Sequence, residues 1–431
     1  MSSRPPLGQA FGSLHAPAFR WWFLSQLLSA SGTMMQSVAQ AWLVLRLTGS
    51  AFDLGLLGSC TMLPVLLGGP WAGALVDRVD RRRLLTVTQS LFILSATLLA
   101  VLTWTGEVRV WMLFVIAFAT GAVSAPDQAA RQVYVLDLVG GRRLGSGVSL
   151  NEVVLNLSRV LGPAFGGLFL ATLGIAPCFV ANAASYLPPL LVLVVLHRGL
   201  ARNASSAGAA RPSAARAVPG QVRAGLAYVW RTPALRAVVL MAAASGMLFN
   251  LGVALPLLAT RVFHLGGGGY GLMMAAFGVG GFAGALLAAS SRPVPGGHEV
   301  RLLAVLTGLA ILGTALAPDT GLVFGGLVVT GGLSIWFIAR ANTLAQLRSD
   351  PAMRGRVMGI WTMALPGASP LTSPAIGYTG EVAGGRASFG LAGIALLLTA
   401  AAGWRALSDA SPAQPHPQRQ LAATVPAGGE G

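Results

Sequence analysis

Gly73-Ala74-Leu75-Val76-Asp77-Arg78-Val79-Asp80-Arg81-Arg82-Arg83 decides how this 431-residue chain is read. Four arginines and two aspartates crowd into the seven residues from Asp77 to Arg83, and a predominantly apolar run adjoins each side, 53–76 and 84–105. About 20 apolar residues make a helix long enough to cross ~30 Å of hydrocarbon. The charge cluster therefore belongs at a water and headgroup surface, and the two flanking runs cross the bilayer in opposite directions.

The rest of the chain has the same character. Charged residues make up 10% of it, against ~25% in soluble domains, while 54% are apolar and the mean hydropathy is +0.70. Too few charges exist to cover a soluble surface, so this is an integral membrane protein. All 29 basic side chains are arginine. Without lysine there is no P-loop and no pyridoxal Schiff base. The net charge of +16 does not mark nucleic acid, because the arginines are dispersed between apolar runs. His298-Glu299 is followed by Leu302, so no HExxH zinc site forms, and no Gly-x-Ser-x-Gly elbow occurs. The five histidines fall in loops or tails, and Cys60 and Cys178 read as small packing residues. The chain is expected not to be an enzyme, to hold no metal and to need no cofactor.

Twelve apolar segments follow one another: 19–45, 53–76, 84–105, 110–131, 144–172, 176–196, 236–260, 270–291, 300–317, 321–347, 356–379 and 386–404. Segment 1 lacks a cleavage site and begins with Trp21 and Trp22, as an interfacial anchor does. With the N-terminus placed in the cytoplasm, 23 arginines fall on that side, four (Arg46, Arg109, Arg261, Arg386) on the other, and Arg159 and Arg340 within segments. That asymmetry puts both termini inside. The expected organisation is a cytoplasmic tail at 1–18, a six-helix half at 19–196, a cytoplasmic linker at 197–234, a second half at 235–404 and a disordered tail at 405–431.

The halves repeat each other. Ala72-Gly73-Ala74-Leu75 recurs as Ala283-Gly284-Ala285-Leu286, and Gly162-Pro163-Ala164-Phe165-Gly166 as Ser373-Pro374-Ala375-Ile376-Gly377, both at an offset of 211. The fold class expected is thus an all-α membrane protein of 12 transmembrane helices in two parallel six-helix repeats, with a substrate path at their interface near the midplane.

Polar residues inside the segments point to that path. Gln26, Ser29, Thr33, Gln36 and Gln40 share one face of segment 1, and Thr120, Ser124, Asp127 and Arg131 one face of segment 4. Such faces meet either a wet cavity or other helices through hydrogen bonds. Glu152, Asn156 and Arg159 share a face of segment 5. Arg159 lies near its middle, where facing lipid costs at least ~2.5–3.5 kcal/mol. Cavity and substrate candidates are Thr33, Gln36, Gln40, Asn156, Arg159 and Arg340, the two arginines being suited to an anion. Glu152 or Asp127 is the candidate proton carrier, with a structural ion pair as the alternative for Glu152. Gly162, Pro163 and Gly166 permit close helix approach and a bend.

The segment Gly73 to Arg82 resembles the major facilitator superfamily signature between helices 2 and 3, with Asp80 where the pattern has glycine. Ser158-Arg159-Val160-Leu161-Gly162-Pro163-Ala164-Phe165-Gly166-Gly167 resembles the antiporter signature of that superfamily's drug exporters, with Ser158 in place of its first glycine. Phe19-Arg20, Leu47-Thr48-Gly49-Ser50, Arg131-Gln132 and Asn182-Ala183-Ala184-Ser185 are similar to the enterobactin-exporter branch, the transmembrane secretion effectors. The resemblance implies a gating motif of Gly73, Asp77, Arg78, Arg81, Arg82, Asp127 and Arg131. In it Asp77 faces a helix N-terminus of the other half, and Arg81 or Arg82 pairs with Asp127. Gly162, Pro163, Gly166 and Gly167 form the antiporter-like motif.

What these features imply together is a secondary active transporter exporting a small molecule (siderophore, drug or metabolite) in exchange for protons by alternating access. An importer of the same fold and a non-transporting receptor or scaffold are the alternatives. The expected partners are a small-molecule substrate and the lipid bilayer, with no nucleic acid. The chain is expected to act as a monomer in a bacterial inner membrane.

Overall fold

A computed structural model describes residues 13, 17–139, 144–195, 221–248, 250–291, 294–351, 353–365 and 367–408, and they carry helices and no strand. The first five segments form single helices: α1 (Pro17–Thr48), α2 (Ala51–Arg78), α3 (Arg81–Thr105), α4 (Val110–Val139) and α5 (Leu144–Thr172). Segment 6 is α6 (Ala176–Ser185) and α7 (Leu187–Val195), and α8 (Gln221–Arg231) lies within the stretch read as a linker. The second half comprises α9 (Pro233–Leu248), α10 (Leu251–Leu257) running into a π turn (Leu258–Val262), α11 (Gly266–Ser290), α12 (Gly297–Leu316) and α13 (Thr320–Arg348). It closes with α14 (Arg354–Ala364), α15 (Ser369–Val382), α16 (Gly384–Ala402) and the short α17 (Trp404–Ser408). The expected tails lie outside the described residues save for Ser13, Pro17–Ala18 and the end of α17.

Local chemistry sets the helix ends. Ser50 accepts from the Asp53 N–H to cap α2, Asp80 accepts from Arg83 at 2.9 Å to cap α3, and Asp319 accepts from Leu322 at 2.9 Å to cap α13. The glycine expected at residue 80 from the superfamily pattern is replaced by a residue that does this capping. Gly106 ends α3 with φ +76°, a conformation costly for any residue with a Cβ.

Among the described residues nine helices are long and apolar enough to span a bilayer, and α9 with α10, bent by 45°, makes a tenth. The other two segments differ from the sequence reading for physical reasons. Over its 32 residues α1 dilutes its apolar surface with the glutamine and serine stripe, and segment 11 is divided between α14 and α15.

Core packing shows how the halves meet. The segment ends at the arginine-poor side form one apolar core drawn from both halves, from Val38, Leu54 and Phe179 to Leu255, Phe277 and Phe389. At the arginine-rich side the core divides. Phe19, Leu85 and Leu193 belong to a cluster within the first half, and Leu235, Phe337 and Trp361 to one within the second. The bundle is joined at one end and parted at the other. The most extensive inter-half contacts are α5 on α11 and α2 on α15, with smaller ones from α10 to α1 and α2 and from α11 to α1. The repeat makes the two large ones equivalent, since segment 5 corresponds to 11 and segment 8 to 2.

Candidate functional site

The antiporter-like motif builds the first inter-half contact. Gly162 lies against Met34 and the Ser31 carbonyl of α1, Gly166 against Val38, and Gly167 against Gly268 and Gly271 of α11. A Cβ on Gly271 would overlap the Gly167 backbone. The second contact is its repeat counterpart. Gly55 and Gly58 of α2 accommodate Ser373, and the Ser59 hydroxyl donates to the Pro370 carbonyl at 2.7 Å.

Beside the first contact lies a cavity of about 130 Å³, lined from both halves, with Met34, Asn156, Arg159, Met274, Phe277 and Ile335 in its wall. Arg159 is its cation. Its guanidinium opens into the cavity, and Nη1 donates to Asn156 Oδ1 at 3.4 Å. Asn156 in turn donates to the Glu152 carbonyl oxygen at 2.9 Å. Asn156 thus touches Glu152 through backbone, and the Glu152 side chain stays exposed. A mostly apolar wall with one guanidinium and one amide fixes the orientation of a ligand through few polar contacts.

The other candidates are placed elsewhere. Thr33 shares a hydrogen bond with the Tyr186 hydroxyl at 2.8 Å, Gln36 accepts from Asn182 at 2.7 Å, and Gln40 donates to the Leu113 carbonyl at 3.4 Å. The stripe on α1 is turned toward neighbours in its own half, and none of the three lines the cavity. Arg340 is buried in a two-bond pair with Glu299, Nε to Oε1 at 2.5 Å and Nη2 to Oε2 at 2.9 Å. Glu299, read only as part of a failed zinc motif, is the residue that sequence reasoning missed here. The 41 positions separating the two gave no local signal.

Asp127 is 3% exposed. Its Oδ1 accepts from Thr88 at 2.6 Å and Gln89 at 3.0 Å, and its Oδ2 from Arg131 Nε at 2.5 Å. Arg131 also donates to Gln26. The expected partner was Arg81 or Arg82. The cation is Arg131 instead, because it stands one helical turn away on the same face. Arg82 reaches the open carbonyls at the end of α7, Leu193 at 2.6 Å and Val194 at 3.3 Å. Arg78 is exposed at the end of α2. The surroundings of Gly73 and the Asp77 side chain lie outside the described residues.

The sequence profile of transmembrane secretion effectors matches residues 8–425. The chain belongs to that family. Among curated relatives of this secretion effector, the multidrug efflux pump Tap of Mycolicibacterium fortuitum is 29% identical over 86% of the chain and 91% of the relative. The staphyloferrin A transporter of Staphylococcus aureus is 26% identical over 88% and 93%. The enterobactin exporter EntS of Citrobacter koseri is 26% identical over 84% and 83%. The secretion effector also shares its fold with a bacterial homologue of the lysosomal transporter Spinster in an inward-facing conformation, TM-score 0.68 at 14% identity, covering 96% of this chain and 100% of that one. An inward-facing bacterial homologue of ferroportin gives 0.66 at 15%, covering 91% and 99%. These likenesses establish a multi-pass membrane transporter of the major facilitator fold.

Proposed function

We propose that this secretion effector exports a small molecule by alternating access, with all twelve segments crossing a bacterial inner membrane and both termini in the cytoplasm. The observation that carries this reading is the divided core. One end is sealed by apolar packing from both halves, the other parts into two clusters, and the Arg159 cavity lies between the halves. If the arginine-rich end is cytoplasmic, the sealed end faces outward and this conformation receives cargo from inside.

The energy source we propose is the proton gradient, with no cofactor. Glu152 suits the carrier role better than Asp127, since both oxygens of Asp127 are occupied by donors, whereas the Glu152 side chain is exposed. Export is favoured over import by the antiporter-like segment and by the exporters among the relatives. Their names suggest drugs or siderophores as cargo, and Arg159 suits the anionic members of those classes. A single chain contains both halves, so a monomer is complete.

Purified protein in proteoliposomes provides the test. A fluorescent drug or ferric-free siderophore should move against its gradient when a pH gradient is imposed, and protons should move oppositely. A receptor or scaffold produces neither flux, and an importer reverses the first.

A further inference from the structure

Among the described residues, the apolar seal at the arginine-poor end carries one charged junction. Glu381, in the last turn of α15, accepts the Ala51 N–H at 2.7 Å, which is the first helical residue of α2 in the other half. Arg261, from the π turn after α10, donates through Nη2 to the Gly49 carbonyl at 2.5 Å and lies 3.7 Å from Glu381 Oε2. Both therefore grip the Gly49–Ala51 turn joining α1 to α2. The turn is stiff. Gly49 takes φ +65° and its N–H bonds back to Leu45 at 2.8 Å, while Ser50 caps α2.

A carboxylate at a helix N-terminus is stabilised by unpaired N–H groups and by the helix dipole. Arg261 adds a positive charge 3.7 Å from Glu381 Oε2 across a partly exposed gap, a weaker contribution than the Ala51 hydrogen bond. Other charges brought to this end by elements packed on α15 are Asp53, in the first turn of α2, and Arg386, in the first turn of α16. Arg386 is engaged with the Ala315 carbonyl at 3.3 Å and the Phe263 ring. The glycine contacts and the Ser59–Pro370 hydrogen bond set the register further along α2, and this junction adds a charged contact that fixes the turn before α2 against one residue of the other half.

We propose that Glu381, supported by Arg261, is the clasp that holds the arginine-poor end shut, a positioning residue of the transport cycle rather than a substrate ligand. The proposal rests on the reading that the two halves open alternately. When Glu381 withdraws, α2 loses its inter-half cap, and the α2–α15 contact is left to the glycine and serine packing around Gly55, Gly58 and Ser373. That packing carries no ion pair among the described residues.

Distances between spin labels test it without any need for transport. With Cys60 and Cys178 replaced by alanine, one pair is placed at Glu107→Cys and Pro318→Cys on the arginine-poor end, and another at Val79→Cys and Leu347→Cys on the arginine-rich end. Glu381→Gln should shift the population about tenfold, toward longer distances in the first pair and shorter ones in the second. Arg261→Met, which leaves the Ala51 cap in place, should shift it less in the same direction. General loosening would broaden both distributions without shortening the second, and that outcome, like distributions superimposable on the parent's, overturns the clasp. Should the distances shift while the parent protein moves no substrate, the clasp stands and the transport reading fails.

Discussion

Glu299 and Arg340 tie α12 to α13 in the second half at the place where Thr88 and Asp127 tie α3 to α4 in the first. Glu299 lies 211 residues after Thr88, the offset of the repeat, yet the acid has moved from the fourth helix of the half to the third. The repeat thus keeps a polar strut between the same pair of helices while inverting which helix supplies the charge. Arg340 is 5% exposed and Glu299 31%. Glu299→Gln takes the carboxylate charge away from a buried guanidinium and should cost about 3 kcal/mol, whereas Arg340→Gln leaves a carboxylate that water reaches and should cost less. Thermal unfolding in detergent of both single variants and the double variant checks this. The double variant should lose less than the two single losses added together.

Asp127 and Glu152 should separate in function. Asp127→Asn removes the charge that fixes Arg131 and disturbs the Gln26 contact, so it should lower thermal stability by about 2 kcal/mol. Glu152→Gln should leave stability unchanged, because its side chain is exposed. In proteoliposomes Glu152→Gln should abolish uptake driven by a pH gradient while substrate exchange without a gradient persists. Intact gradient-driven transport in that variant removes Glu152 from the proton path.

How much of this was legible in the sequence depends on the range of the interaction. The apolar segments, the charge cluster after Val76 and the 211-residue offset are local or periodic, and they lead to the helical membrane fold. The stripe on α1 was visible too, but periodicity shows that Gln36 and Gln40 share a face without showing what that face meets. Asn182 and the Leu113 carbonyl answer that only in three dimensions. The division between α14 and α15 follows Pro366-Gly367 and Ser369-Pro370, and the bend after α9 falls at Asn250. These breakers had local signals, but segment-length hydropathy averages over them. Glu381 and Arg261, 120 positions apart, carried no shared motif. The single acid closing segment 11, opposite the capped start of segment 2, was the only available sign.

The topology proposed from the arginine count has a direct check. Ser205→Cys in the linker and Asp80→Cys in the charged loop should both resist a membrane-impermeant maleimide added to intact cells and react after permeabilisation. Glu107→Cys should react in intact cells. Labelling of positions 80 and 205 from opposite sides contradicts the even number of crossings between them.

Arg159 offers a test of the cavity itself. Its guanidinium faces open space, and its hydrogen-bond partner is Asn156 on the same helix. Arg159→Gln should therefore unfold at nearly the same temperature as the parent. Transport of an anionic substrate should fall at least about tenfold, as loss of a charge-assisted bond predicts, and Arg159→Lys should restore part of it by keeping the charge without the planar fork. A cationic dye should be moved no less well by Arg159→Gln. Equal losses for both substrate charges would mean that Arg159 supports the helix packing and does not read the cargo.

Gly271 tests the helix contact that carries the antiporter-like motif. Its Cα side faces the backbone of Gly167 and the Pro163 carbonyl, and both neighbours are main chain, so no side-chain rotation relieves an added methyl. Overpacking of this kind costs about 1–3 kcal/mol, and here the strain falls only on the state in which α5 and α11 are pressed together. Gly271→Ala should thus favour separation of the halves at the arginine-poor end, seen as a longer distance between labels at positions 107 and 318. Gly252→Ala is the control: the nearest atom to its added methyl is the Tyr270 hydroxyl at 3.9 Å, an ordinary contact that leaves the distance unchanged. If both variants keep the parent distance, α5 and α11 are not the surfaces that part during the cycle.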